Sequence, residues 1–237
     1  MKKLLLFSNS TMVGLTYLEY TLPYIKKFLK EKNQNILFIP FAAVTFSYDN
    51  YEKKVNEALF NINLKVTSIH HMKNKKNAIK KADIIVVGGG NTWKLLKKVQ
   101  DFELLGIIKE KVQNGTPYIG WSAGSNLACP TIKTTNDMPI TQPKDFNALN
   151  LIPFQINPHF LDKNPKGHGG ETREDRINEF LKMNKSTTVV GLREGTLLWI
   201  ENNEIKVCGK GSCRIFSYGK DPIEKEELLN CLVENNK

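Results

Sequence analysis

The chain has 237 residues, 41% of them hydrophobic and 24% charged, with a net charge of +10. No apolar run reaches the roughly 18–20 residues of a membrane span, and the four cysteines (Cys129, Cys208, Cys213 and Cys231) form no C-x-x-C and no regular framework, which excludes a disulfide scaffold. The lysines are scattered through helix-like segments with no basic stripe among aromatics, so the charge reads as a solvated surface able to attract an acidic substrate, not as a nucleic-acid interface.

No Ser/Gly/Pro-rich linker or internal repeat divides the chain, so residues 1–237 are expected to form a single domain with a sizeable core. Lys3–Phe7 reads as a buried first strand. Its apolar run is too short for a signal peptide, and Ser8-Asn9-Ser10 follows at once. Reduced thiols and a cytoplasmic location are expected. Leu15–Lys30 then reads as a helix, Ile36–Phe41 as a strand, Tyr51–Phe60 as a helix and Leu64–Ile69 as a strand. Asn77–Lys81 is a short helix, Ile84–Val87 a strand, and Thr92–Val99 and Leu104–Asn114 are helices. Tyr118–Trp121 is a strand leading into "SAGSNLA". Pro153–Asn157 and Thr187–Leu192 read as strands on either side of a helix at Arg173–Met183. "LLWIENNEIKVCG" reads as a hairpin turning at Asn202-Asn203, and residues 222–233 as a terminal helix. Strands alternating with helices imply an α/β fold with a mainly parallel sheet and helices on both faces.

Ligands of such folds bind at the carboxyl ends of the strands, and four of these ends carry distinctive residues. "GWSAG" (120–124) matches G-x-S-x-G, in which a serine on a tight strand-to-helix turn projects its Oγ while the next helix offers N–H groups to an oxyanion. Ser122 is therefore a candidate nucleophile, against the alternative of a packing turn. Of the four histidines, His70 and His71 follow an early strand and His168 lies in a glycine-rich loop. His159, at the end of the strand in "INPHF" and fixed by Pro158, is the candidate base. Two acids could orient it: Glu194, at the next strand end, and Asp137, in "TTNDMPI". With Glu194 the chain order is Ser…His…acid, unlike the Ser…acid…His order of α/β-hydrolases. In "VVGGGNT", Gly89 or Gly90 is a candidate oxyanion donor beside Ala123. Asn91 is a candidate N-cap or substrate contact. These glycines fit no nucleotide-binding motif.

These motifs resemble peptidase E, the serine-dependent α-aspartyl dipeptidase family. The likeness runs through "LLLFSNST", "FIPFA", "VVGGGNT", "YIGWSAGSNLACPTIKTTNDMPI", "QINPHF", "GHGGETREDRI" and "VVGLREGT", covering most of the chain to about residue 200. The resemblance implies a fold similar to the class I glutamine amidotransferases, with serine in place of their cysteine. It also implies hydrolysis of dipeptides with an N-terminal aspartate, without metal or cofactor. Ser122 would be the nucleophile, His159 the base and Glu194 its orienting acid, while Asp137 would be a rival acid or the partner of the substrate's amino group. One departure is Arg193, where the family pattern has proline. Arg173, which opens a helix in "GETREDRI", is a candidate partner for the aspartate side chain, against an ordinary surface pair with Glu171 or Asp175. A monomer or homodimer is expected, with no nucleic-acid or membrane partner. Three alternatives remain: an esterase with Asp137 as its acid, a peptidase of the same fold acting on aspartyl-rich polymers, and a non-catalytic pocket-binding protein.

Overall fold

The computed structural model describes residues 1–29, 34–202, 204–227 and 229. Five short strands pair in parallel: β3 (Val66–Ser68), β2 (Ile36–Ile39), β4 (Ile84–Val87), β5 (Tyr118–Trp121) and β1 (Lys3–Phe7). The hairpin β8 (Thr196–Glu201) and β9 (Glu204–Gly209) extends this sheet on the β1 side, with β8 antiparallel to β1. The strands read as continuous apolar runs because both faces are covered. Leu4 and Leu6 of β1 and Ile85 and Val87 of β4 join the core under α3 (Lys75–Lys81), α4 (Thr92–Asp101) and α5 (Leu105–Gln113). Leu5 and Phe7 join the opposite core, under α1 (Leu22–Phe28) and α2 (Tyr48–Phe60). No helix among the described residues is long and apolar enough to cross a membrane.

A second sheet of four strands has the order β11 (Ile223–Lys225), β10 (Cys213–Ser217), β7 (Thr188–Arg193), β6 (Gln155–Phe160). Only β6 and β7 are parallel within it. Val190, Leu192 and Ile215 of this sheet share a core with Leu198 and Val207 of the first. The two sheets therefore bring the ends of β5, β6 and β7 together.

Several boundaries differ from the sequence reading. The expected helix Leu15–Lys30 is a turn, then a single 3-10 turn at Glu19–Thr21, then α1. Pro23 in the first turn lacks the N–H that an earlier helical turn would need, and Lys30 lies outside the described residues. Pro40 ends β2 at Ile39 for the same reason. Helix α2 starts earlier than expected, because the Ser47 side chain accepts from the Asn50 N–H at 3.1 Å. Strand β3 is only three residues long, and a 3-10 turn follows at Ile69–His71. Within the expected terminal helix, residues 223–225 instead form β11 on the edge of β10. Residues 228 and 230–233 lie outside the described residues, as does Asn203 of the hairpin turn.

Candidate active site

Ser122 leaves the end of β5 with φ 52° and ψ −111°, and its N–H donates to the Phe7 carbonyl at 3.0 Å. The chain turns directly into α6 (Ala123–Ala128), so the serine stands at the helix mouth. The small residues of the motif have a packing cause. A Cβ on Gly124 would stand 2.2 Å from the Val87 carbonyl oxygen, so only glycine lets α6 lie this close to β4. Ser125, buried beneath, donates to the Phe7 carbonyl at 2.7 Å and ties the turn to β1.

His159 does not sit at a simple strand end. The register of β6 with β7 shifts between Pro158 and Phe160, and His159 occupies this bulge with φ 53°. The bulge re-aims the side chain. It is held by Ser8, whose Oγ accepts from the His159 N–H at 2.8 Å and donates to the Leu192 carbonyl at 2.7 Å. The imidazole Nε2 is then 3.0 Å from Ser122 Oγ, and Nδ1 is 2.7 Å from Glu194 Oε1. Glu194 lies in the two-residue turn between β7 and β8. Asn9 Oδ1 pins this turn by accepting from the Gly195 N–H at 2.9 Å, and the half-buried Tyr20 hydroxyl donates to the same oxygen at 2.6 Å. Burial raises the Tyr20 hydroxyl's pKa, with a smaller contribution from the Glu194 charge. Arg193 is firmly held. Its guanidinium donates to Asp162 at 2.8 Å, to Ser212 Oγ at 2.8 Å and to Glu224, and these carboxylates raise its pKa further.

Asp137 is placed elsewhere, so the alternative that gave it the histidine does not fit the geometry. One of its oxygens, Oδ2, accepts from the Thr92 N–H at 2.7 Å, the Thr92 hydroxyl at 2.6 Å and the Thr135 hydroxyl at 3.0 Å. None of these bonds uses Oδ1. Asn91 takes the N-cap position, the first of its two expected roles. Its Oδ1 caps α4 through the Lys94 N–H at 3.0 Å, and its amide donates to the Met138 carbonyl at 2.8 Å.

Gly89 is buried and Gly90 exposed. The Gly89 carbonyl accepts from the Tyr51 hydroxyl at 2.9 Å, and Trp121 Nε1 donates to that hydroxyl at 3.2 Å. Burial pushes the Tyr51 hydroxyl up to about 12, so it remains a donor. In a trans peptide the C=O and the following N–H point in opposite directions. Tyr51 therefore draws the Gly89 carbonyl inward and turns the Gly90 N–H outward. Gly90 has φ 131°, and a Cβ there would stand 2.4 Å from the Ala42 carbonyl oxygen. The N–H groups of Gly89, Gly90 and Ala123 have no acceptor among the described residues.

Arg173 opens α7 (Arg173–Met183) half-buried and makes no ion pair among the described residues. Both expected surface partners are engaged elsewhere. Glu171 lies 3.7 Å from Arg176, and Asp175 accepts from the N–H and hydroxyl of Thr172 in a capping box. Burial and the Arg176 charge lower the Arg173 pKa. Arg173 lines a cleft of ≈ 210 Å³ together with Asp137, Asn157 and Arg176. The cleft adjoins the bulge, because Asn136, also in its wall, donates to the Pro158 carbonyl at 2.7 Å.

Ser8, Asn9, Tyr20 and Tyr51 support the site but carry no motif of their own. Only the short polar run Ser8-Asn9-Ser10 at the end of β1 offered a signal.

The description "Peptidase family S51" belongs to a family model that matches residues 4–208. A peptidase E of Nostoc sp. is 50% identical over 98% of this chain and 97% of its own length. A peptidase E of Pasteurella multocida is 48% identical over 92% and 93%. Among solved structures, a protein from Listeria monocytogenes has a TM-score of 0.67 at 23% identity, covering 89% of this chain and 100% of its own. A peptidase from an acI-B1 Actinobacterium has a TM-score of 0.61 at 16% identity, covering 94% and 97%. At these identities the two structures show the shared fold alone.

Proposed function

The chain belongs to peptidase family S51, and from that membership we propose that it is a serine dipeptidase that cleaves dipeptides with an N-terminal aspartate. The observation that carries the reading is the relay Ser122 Oγ, His159, Glu194, with links of 3.0 and 2.7 Å. In this reading His159 Nε2 takes the Ser122 proton as Oγ bonds to the aspartyl carbonyl carbon. The oxyanion lies between the N–H groups of Ala123 and Gly90, the latter favoured over Gly89 because Tyr51 holds the intervening peptide. The tetrahedral species collapses with cleavage of the C–N bond, and His159 returns the proton to the leaving amine. Water, deprotonated by the same histidine, then cleaves the acyl ester, releasing aspartate and restoring Ser122.

The ≈ 210 Å³ cleft supplies the chemistry for an aspartyl head group. Arg173 offers a half-buried guanidinium without an acid of its own, matched to the side-chain carboxylate. Asp137 Oδ1 is left over for the substrate's ammonium once Oδ2 has taken its three donors. A cytoplasmic location is part of this reading. The apolar run Lys3–Phe7 is strand β1, buried between β5 and β8.

The test compares hydrolysis of Asp-Leu, Asn-Leu and N-acetyl-Asp-Leu, with labelling by a serine-directed phosphonate. Asp-Leu should be strongly preferred, and the label should appear on Ser122 and be lost in Ser122→Ala. A labelled Ser122 with equal turnover of all three dipeptides would overturn the specificity. Absence of labelling in a folded protein would overturn the mechanism.

A further inference from the structure

A second cluster of chemically capable side chains lies away from Ser122. Asp49 and Glu52 stand in the first turns of α2, and His70 and His71 in the 3-10 turn that follows β3. One ligand atom from each lies within 4.8 Å of the other three. His70 Nε2 is 3.0 Å from Asp49 Oδ1, His71 Nε2 is 3.6 Å from the same oxygen, and His71 Nε2 is 2.7 Å from Glu52 Oε2. The two imidazole rings are 3.8 Å apart, facing this pair of carboxylates.

The arrangement is oriented from outside. Ser68 is fully buried, and its hydroxyl lies 2.6 Å from His70 Nδ1. Its N–H donates to Glu52 Oε1 at 2.8 Å. One residue thus holds the outer atom of an imidazole and the outer oxygen of a carboxylate, leaving His70 Nε2 and Glu52 Oε2 to face inward. Outer partners of this kind set tautomer and ring direction at metal centres. Donors bonded at about 2.0–2.1 Å to a tetrahedral ion are roughly 3.3–3.5 Å apart. Three of the six separations here, 2.7, 3.0 and 3.6 Å, bracket that value, and all six lie within 4.8 Å. Simple histidine–carboxylate hydrogen bonds would account for the individual pairs. They do not account for two imidazoles converging on one pair of carboxylates, with one imidazole and one carboxylate already held from outside by Ser68.

We propose that Asp49, Glu52, His70 and His71 bind a divalent transition-metal ion of the zinc type. Two imidazoles with two carboxylates suit zinc, cobalt, nickel or copper better than magnesium or calcium, which prefer oxygen donors throughout. The site is distinct from the Ser122 centre. Strand β3 is three positions from β5 in the sheet, about 14 Å at ordinary strand spacing. A bound ion would clamp the start of α2 to the end of the edge strand β3.

The test is a titration of chelator-treated full-length protein with Co²⁺, read by its visible d–d absorption and reversed by Zn²⁺. One saturable four-coordinate site is expected. Asp49 and His71 are exposed, so Asp49→Asn and His71→Gln should keep the fold, checked by circular dichroism. Each should weaken binding on the order of 100-fold, and Ser68→Ala about 10-fold. His159→Ala should bind as wild type. The proposal is overturned if no saturable site appears, if folded Asp49→Asn and His71→Gln bind normally, or if His159→Ala removes the site.

Discussion

Removing the negative charge at Glu194 and at Asp137 is expected to have different kinetic consequences. Glu194 accepts from His159 Nδ1, so Glu194→Gln should lower kcat by at least roughly 10²-fold with little change in KM. Asp137 touches threonines of α4 and its own loop through one oxygen, and the residue lines the cleft. Asp137→Asn should act mainly on KM for a dipeptide with a free amino group and spare an N-acetylated ester. Steady-state kinetics on both variants checks this, and the reverse pattern would assign the relay acid to Asp137. Tyr51 works at one remove. Tyr51→Phe deletes the donor to the Gly89 carbonyl and leaves Trp121 Nε1 without its acceptor. It should cost about 1 kcal/mol of stability. It should also lower kcat roughly tenfold at unchanged KM, because an oxyanion donor acts in the transition state. Serine and histidine could be singled out from sequence, since each stands at or near a strand end in a short motif, whereas Glu194 is one of two candidate acids. The roles of Ser8, Asn9 and Tyr51 could not be found there, because the site residues they hold, His159, Gly195 and Gly89, lie between 38 and 186 residues away along the chain.

Arg193 belongs to the scale of elements. It stands at the end of β7, just before Glu194, and bridges Asp162 after β6, Ser212 before β10 and Glu224 in β11. Where proline would stiffen this strand end through its ring, the arginine does so through side-chain bonds. Arg193→Met should therefore lower both melting temperature and kcat. Arg193 holds the Asp162 and Glu224 carboxyls below their ordinary pKa values. Such groups stabilise the fold above their unfolded-state pKa, about 4, and lose that contribution as pH falls through the lowered values. The difference in melting temperature between wild type and Arg193→Met should be full at neutral pH and narrow below about pH 4. A constant difference down to strongly acid solution would remove the carboxylates from the explanation. The strands β1, β4 and β5 could be read almost residue by residue, since buried parallel strands are unbroken apolar runs. The bulge at His159 and the strand β11 could not. A bulge is a relation between two strands, and "IEKEELL" has helical composition although its first three residues pair with β10 as an edge strand.

For the whole molecule, α/β alternation pointed to a mainly parallel sheet. It could not show that β6 and β7 leave that sheet for another, because periodicity marks a strand without naming its neighbour. The net charge of +10 acts at the same scale. A positive surface raises the local concentration of anionic solutes, and salt screens this beyond about 10 Å at 0.1 M. KM for acidic dipeptides should rise between low and moderate ionic strength, while that for a neutral substrate stays flat. Equal salt dependence for both would confine recognition to contacts within the cleft.

Ser122 and His159 both occupy backbone conformations that suit glycine, at φ 52° and 53°. Holding a side chain there costs roughly 1–3 kcal/mol at each position. Glycine would relieve that strain and lose about 0.5–1 kcal/mol through the greater freedom of the unfolded chain. Ser122→Gly should therefore melt no lower than wild type, and higher if relief dominates, while turning over nothing. Random mutagenesis screened only for heat resistance would thus tend to discard the nucleophile. At these two positions, backbone discomfort falls on residues that selection for turnover has to defend.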